Sequence, residues 1–150
     1  MAKLVLLDTG VLGLATNPKA TISGAVLLWI KRLLREGHRP LVPEIADYEL
    51  RRELLRIASK ASIETLNRMG TKLGYLPLDT ETMRRAAELW AKSRAKGRPL
   101  ADKHALDGDV ILCAQAQLLA DAYPREDVLI ATTNVEHLRH FVAADEWQKI

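Results

Sequence analysis

A chain of 150 residues, 48% of them hydrophobic, can bury one sizeable core and is short for two ordinary domains, so a single domain over residues 1–150 is expected. Its one cysteine, Cys113, excludes an internal disulfide frame and a cysteine-built zinc site, which fits a reducing cytoplasm, and no apolar stretch has the length of a membrane span or the form of an export signal. Lysine and arginine number 22 against 19 acids, a net charge of +3; this permits contact with nucleic acid without demanding it, and 5% aromatics argue against a surface that stacks bases on several rings.

The first apolar run, KLVLL over residues 3–7, is the short continuous segment required by a parallel strand that helices cover on both faces, and it stops on Asp8. The Asp-Thr-Gly that follows is also an ordinary turn able to cap a helix. SGAVLLWIKRLLREG places Val26, Ile30, Leu33 and Leu34 at helical spacing and closes at Gly37. RPLVP predicts a second strand stopped by Pro43, whose missing N–H suits it to open the next helix, EIADYELRRELLRIAS. SIETLNRMGTKLG predicts a further helix, residues 75–78 a third strand, and DTETMRRAAELWAKSRAKG a helix with Asp79 or Thr80 at its N-cap. RPLADKHALDG, broken by Pro99 and Gly108, reads as a loop. DVILCAQAQLLADAY reads as a mostly apolar helix whose polar start is Asp109, with Cys113 as a small buried hydrophobe, and DVLIATTN is the last clear strand, with Asn134 at its carboxyl end. Alternating strands and helices predict an α/β fold, a three-layer α/β/α sandwich around a central parallel sheet.

In such a sheet the loops leaving the carboxyl ends of the strands converge on a crevice, where Asp8, Glu49, Asp109 and Asn134 can meet. Each also has a plain structural reading: Glu49 can pair with Arg52 on a helix surface, Asp109 can cap its helix, and Asn134 can simply end a strand. Asp107 and Asp109 flank Gly108, and like charges so close repel unless a cation or a proton compensates. Carboxylates without cysteine or histidine support favour a hard cation such as Mg²⁺ or Mn²⁺, and the chemistry this implies is metal-assisted attack of water on a phosphodiester.

The segments LLDTGVL, VPEIADYELRREL, LDGDVILCAQA and IATTNVEHL, in this order and through essentially the whole chain, resemble the PIN domain, the metal-dependent ribonuclease family that includes VapC-type toxins of type II toxin–antitoxin pairs. The resemblance implies an endoribonuclease using Mg²⁺ or Mn²⁺, with Asp8, Glu49 and Asp109 as metal ligands. The family's fourth acid is matched here by Asn134, an amide that ligates or orients water without charge. Asp107, close to Asp109 in the chain, is a candidate to supply the missing charge, and the expected catalytic set is Asp8, Glu49, Asp109, Asp107 and Asn134. Thr132 or Thr133 is placed to hold a water or phosphate, and Arg52 to steer the phosphate backbone. A homodimer and a small antitoxin partner are implied as well; Leu27, Leu34 and Leu54 suit a dimer face and the core equally. The alternative is a catalytically silent PIN-like module that binds nucleic acid or a protein. Asn134 and the basic helices favour it, and the three acids oppose it, because a pure phosphate binder gains affinity by losing them. An aspartyl-phosphate phosphatase is disfavoured by Gly10, which stands where that chemistry wants a second acid, and no glycine-rich phosphate loop follows the first strand. His137 and His140 read as surface residues, His104 has no assigned role, and Trp29 and Trp90 read as core or interface.

Overall fold

A computed structural model describes residues 2–95 and 106–150 of the chain, with Leu106 described by its backbone alone. The order of elements is β1 (Lys3–Leu7), α1 (Thr9–Thr16), α2 (Ser23–Arg35), β2 (Arg39–Pro43), α3 (Glu44–Arg56), α4 (Lys60–Lys72), β3 (Gly74–Leu76), α5 (Thr80–Ala95), α6 (Leu106–Ala122), β4 (Asp127–Thr132), β5 (Ala144–Glu146) and a closing 3₁₀ turn, Trp147–Lys149.

The five strands form one sheet in the order β3-β2-β1-β4-β5, and every pairing is parallel. The central strand alternates its side chains between two cores, as the two-residue period of a strand requires. Val5 and Leu7 pack with Val11, Trp29, Leu33, Leu50 and Leu66 from the first four helices. Leu4 and Leu6 pack on the other face with Leu89, Val110 and Cys113 from α5 and α6. Burial on both faces explains why β1 is uniformly apolar, and it makes the molecule the three-layer α/β/α sandwich that the alternation of elements predicts.

Several boundaries follow from local chemistry. Asp79 Oδ1 accepts from the Thr82 N–H at 2.8 Å and from its hydroxyl at 2.7 Å, which fixes the start of α5. Gly37 takes φ +84°, and the N–H of His38 reaches back to the Leu33 carbonyl at 2.8 Å, closing α2 in a left-handed cap. The expected start of α6 at Asp109 is corrected: the helix begins at Leu106, so Asp107, Gly108 and Asp109 form its first turn. The rest of the expected loop before it, residues 98–105, and His104 with it, lies outside the described residues. Leu54 belongs to the core, whereas Leu27 and Leu34 are exposed. Among the described residues no helix is long and apolar enough to cross a membrane.

The topology turns at one place. From β1 the chain builds outward to β2 and β3 on one side, then resumes with β4 and β5 on the other. The crevice beyond the carboxyl ends of β1 and β4 is therefore the switch point, where an open parallel sheet leaves room for a ligand.

Candidate active site

Asp8 leaves β1 at this switch point, and its N–H still holds the Ala131 carbonyl of β4 at 3.1 Å. Its carboxylate caps α1, with Oδ1 accepting from the Val11 N–H at 2.9 Å, while Oδ2 accepts from the Thr132 hydroxyl. Burial raises the Asp8 pKa above the ordinary aspartate value, opposed by hydrogen bonds from Thr132 and from the N–H groups of Val11, Thr133 and Gly10. Gly10 lies close against the end of β4: a Cβ there would stand 2.6 Å from Thr133 Oγ1.

Glu49 reaches the crevice from α3, which is anchored by the buried Leu50 and by Asp47, itself bonded to Arg51 at 2.9 Å and to the Tyr75 hydroxyl at 2.8 Å. Glu49 Oε1 accepts from the Thr9 hydroxyl at 3.0 Å, and Oε2 stands 4.0 Å from Arg52 Nη2. Gly108 lies directly against this carboxylate, since a Cβ on it would be 2.4 Å from Glu49 Oε2. The third acid, Asp109, comes from the first turn of α6. Burial pushes its pKa up to about 6; the electrostatic effect of His137 opposes the rise, and the negative charges of Glu49 and Asp8 add to it. Three carboxylates from three elements thus act on one another across the crevice. One turn further along α6, burial and Asp109 push the Cys113 thiol up to about 12, so it stays protonated and is no nucleophile at neutral pH.

The other two expected members are placed differently: the Asn134 N–H donates at 3.0 Å to the Thr132 hydroxyl oxygen, the same hydroxyl that Asp8 accepts from, whereas Asp107 turns toward α5. Asp107 is exposed on the side of α6 that faces α5, where it lines a groove of about 390 Å³ with Met83, Trp90 and Val110. Asn134 is exposed two residues past the end of β4, and its Oδ1 accepts from the Glu136 N–H at 3.2 Å, within its own turn. Three residues that the sequence reading did not place in the site belong to its surroundings: Thr9, Gly108 and His137. A glycine between two acids was the available signal for Gly108. His137 gave none, because HLRH forms a series of turns instead of the helical face its spacing suggests.

All-oxygen donors, a net excess of negative charge and half-buried positions suit a hard divalent cation. The acids nonetheless stand as an open cluster: among the described residues no three His, Cys, Asp or Glu side chains already form a group able to hold a metal ion.

No family description and no curated protein matches the sequence. Solved structures do match along nearly the full length. A chain in the crystal structure of DNA-bound VapBC from Salmonella typhimurium superposes with a TM-score of 0.72 at 16% identity, over 98% of this chain and 99% of that one. A chain of VapBC2 from Rickettsia felis, bound to a DNA fragment from its promoter, gives 0.70 at 15% identity over 96% and 98%. FitAcB from Neisseria gonorrhoeae gives 0.67 at 20% identity over 97% and 99%. Likeness at this identity is likeness of fold: the five-stranded parallel α/β sandwich of this chain superposes on these VapBC and FitAcB chains over nearly its full length.

Proposed function

We propose that the chain is a VapC-like endoribonuclease dependent on Mg²⁺ or Mn²⁺, with Asp8, Glu49 and Asp109 as the metal ligands. The observation that carries this reading is the meeting of three carboxylates, from β1, α3 and α6, at the switch point of a parallel sheet, close enough that Glu49 and Asp8 both bear on Asp109. A divalent cation bound there supplies an activated water and screens the charge of the phosphate and leaving oxygen. The protein's own groups do the rest. Thr132 and the backbone N–H groups around it fix Asp8, Thr9 orients Glu49, His137 offsets the charge of Asp109, and Arg52 meets the phosphate backbone. Asp107 and Asn134, as they stand, take no part in this ligand set.

The full-length likeness to chains crystallised as VapBC complexes supports the toxin reading: a cytoplasmic protein restrained by a small antitoxin that covers the crevice. Leu28 and Leu34, exposed on α2, offer apolar surface for a second copy of the chain.

The test is cleavage of a labelled, mixed-sequence single-stranded RNA by purified protein in Mg²⁺, in Mn²⁺ and in EDTA, beside Asp8→Asn. Metal-dependent cutting that the variant lacks is expected. Equal cutting by the variant, or cutting in EDTA, removes the assignment. RNA bound without cutting, by folded protein free of antitoxin, leaves a silent binding module, the reading that the open arrangement of the acids and the uncharged Asn134 favour.

A further inference from the structure

We infer that Tyr48 and Arg52, one helical turn apart on the exposed face of α3, form a clamp that stacks one base of a single-stranded RNA and holds its phosphate beside the acid cluster. The inference rests on the ribonuclease reading and adds to it a base-stacking subsite on α3.

Of the three arginines along this stretch of α3, two are engaged: Arg51 holds Asp47 at 2.9 Å, and Arg56 closes on Glu53. Arg52 is different. Its guanidinium carbon lies 5.3 Å from the centre of the Tyr48 ring, and its Nη2 is 4.0 Å from Glu49 Oε2, a long contact in an exposed pair. A single guanidinium thus spans an aromatic ring and a carboxylate of the cluster, and most of its donors still face water. Tyr48 is adjacent to Glu49 in sequence and 56% exposed, which is unusual for a ring with no core to fill. Arg52 holds the ring in place by a cation–π contact, at a site where both the flat ring and the cation are open to a ligand.

The chemistry that fits is a nucleotide. A base face stacks on an aromatic ring or a guanidinium plane, and a phosphate takes a fork of N–H donors. A single ring stacks any base, so the clamp discriminates by strandedness and leaves sequence unread, in keeping with the scarcity of aromatics in the chain. In a duplex the bases are already stacked on each other and cannot reach Tyr48.

Binding is measured by fluorescence anisotropy of a labelled mixed-sequence RNA, single-stranded or annealed to its complement, in the Asp8→Asn background with Mg²⁺ present. Adding Tyr48→Ala or Arg52→Ala is expected to weaken single-strand binding by about tenfold. Tyr48→Phe, which keeps the ring, binds like the Asp8→Asn protein. Tyr123→Ala also leaves binding unchanged: this exposed tyrosine follows the far end of α6, at the opposite edge of the sheet. Duplex binding is indifferent to Tyr48→Ala. In the otherwise unaltered protein, Tyr48→Ala raises KM for cleavage with little change in kcat. Single-strand binding that is absent, or equally tight without the tyrosine ring, overturns the clamp. Binding that depends on the ring in a protein that cuts in no metal overturns the ribonuclease reading and leaves the clamp standing.

Discussion

At Asp8 the helix cap and the charge separate in one substitution. Asparagine keeps an oxygen able to accept from the Val11 N–H, so Asp8→Asn is expected to hold stability within about 1 kcal/mol of the parent while metal-dependent cleavage disappears. Asp8→Ala loses the cap as well and costs about 1 kcal/mol or more. Urea melts beside a cleavage assay distinguish the two, and an Asp8→Asn protein that cuts normally would refute the ligand assignment. Gly108→Ala probes Glu49 from the other side. In a helix this change ordinarily stabilises by about 1 kcal/mol. The atom met at 2.4 Å is the tip of a flexible side chain, so the fold yields at little cost and Glu49 is displaced. Tm unchanged or raised, together with reduced cleavage, is the expected pair of results; full activity would mean that the position of Glu49 is immaterial.

The elements differ in how plainly the sequence announces them. β1 and β2 are apolar runs between polar stops, and α2, α3 and α5 carry a 3.6-residue period with recognisable ends, so their place and type are legible without coordinates. α1 is not, because TGVLGLAT contains two glycines and presents no polar stripe; its helix rests on the Asp8 cap and on burial of Val11, Leu12 and Ala15. β5 is three residues, ADE, and becomes a strand only because Ile130 to Thr132 of β4 provide a ladder for it. Asp8, Glu49 and Asp109 were readable as acids at one sheet edge. Their supports were not, since Thr9 and His137 meet the acids across distances in sequence that no local pattern records. The C-terminal turn is equally hidden, yet Trp147 is 6% exposed and its ring meets Trp29 edge-on at 5.6 Å. Trp147→Ala is therefore expected to cost about 3–5 kcal/mol, more than its place in a short closing turn suggests. Chemical denaturation checks this, and a cost under about 1 kcal/mol would show that the last turn folds independently of the core.

For the whole molecule, burying Asp8 and Asp109 ties folding to pH, and the proposed ligand set would tie it to metal as well. The Asp109 carboxyl is held up at about 6 and Asp8 is raised in the same direction, so the folded state binds these protons more tightly than the unfolded chain does. Their favourable contribution is complete below the unfolded aspartate value of about 4 and is lost as pH rises through about 6. Metal-free protein should accordingly lose stability across that window relative to Asp109→Asn, which has no charge to bury. Tm of the variant should exceed that of the parent at pH 8, and the gap should close toward pH 4. On the proposed reading, a divalent cation would bind the ionised carboxylates and compete with the same protons. At a hundred times its Kd, a ligand specific to the folded state adds about 2.7 kcal/mol. Mn²⁺ or Mg²⁺ should thus raise the parent's Tm at pH 8, raise it much less at pH 5, and leave Asp109→Asn nearly unmoved at either. A shift of equal size in parent and variant would place the bound ion elsewhere on the protein; no shift at pH 8 under saturating metal would mean that the three acids, although gathered, do not hold one.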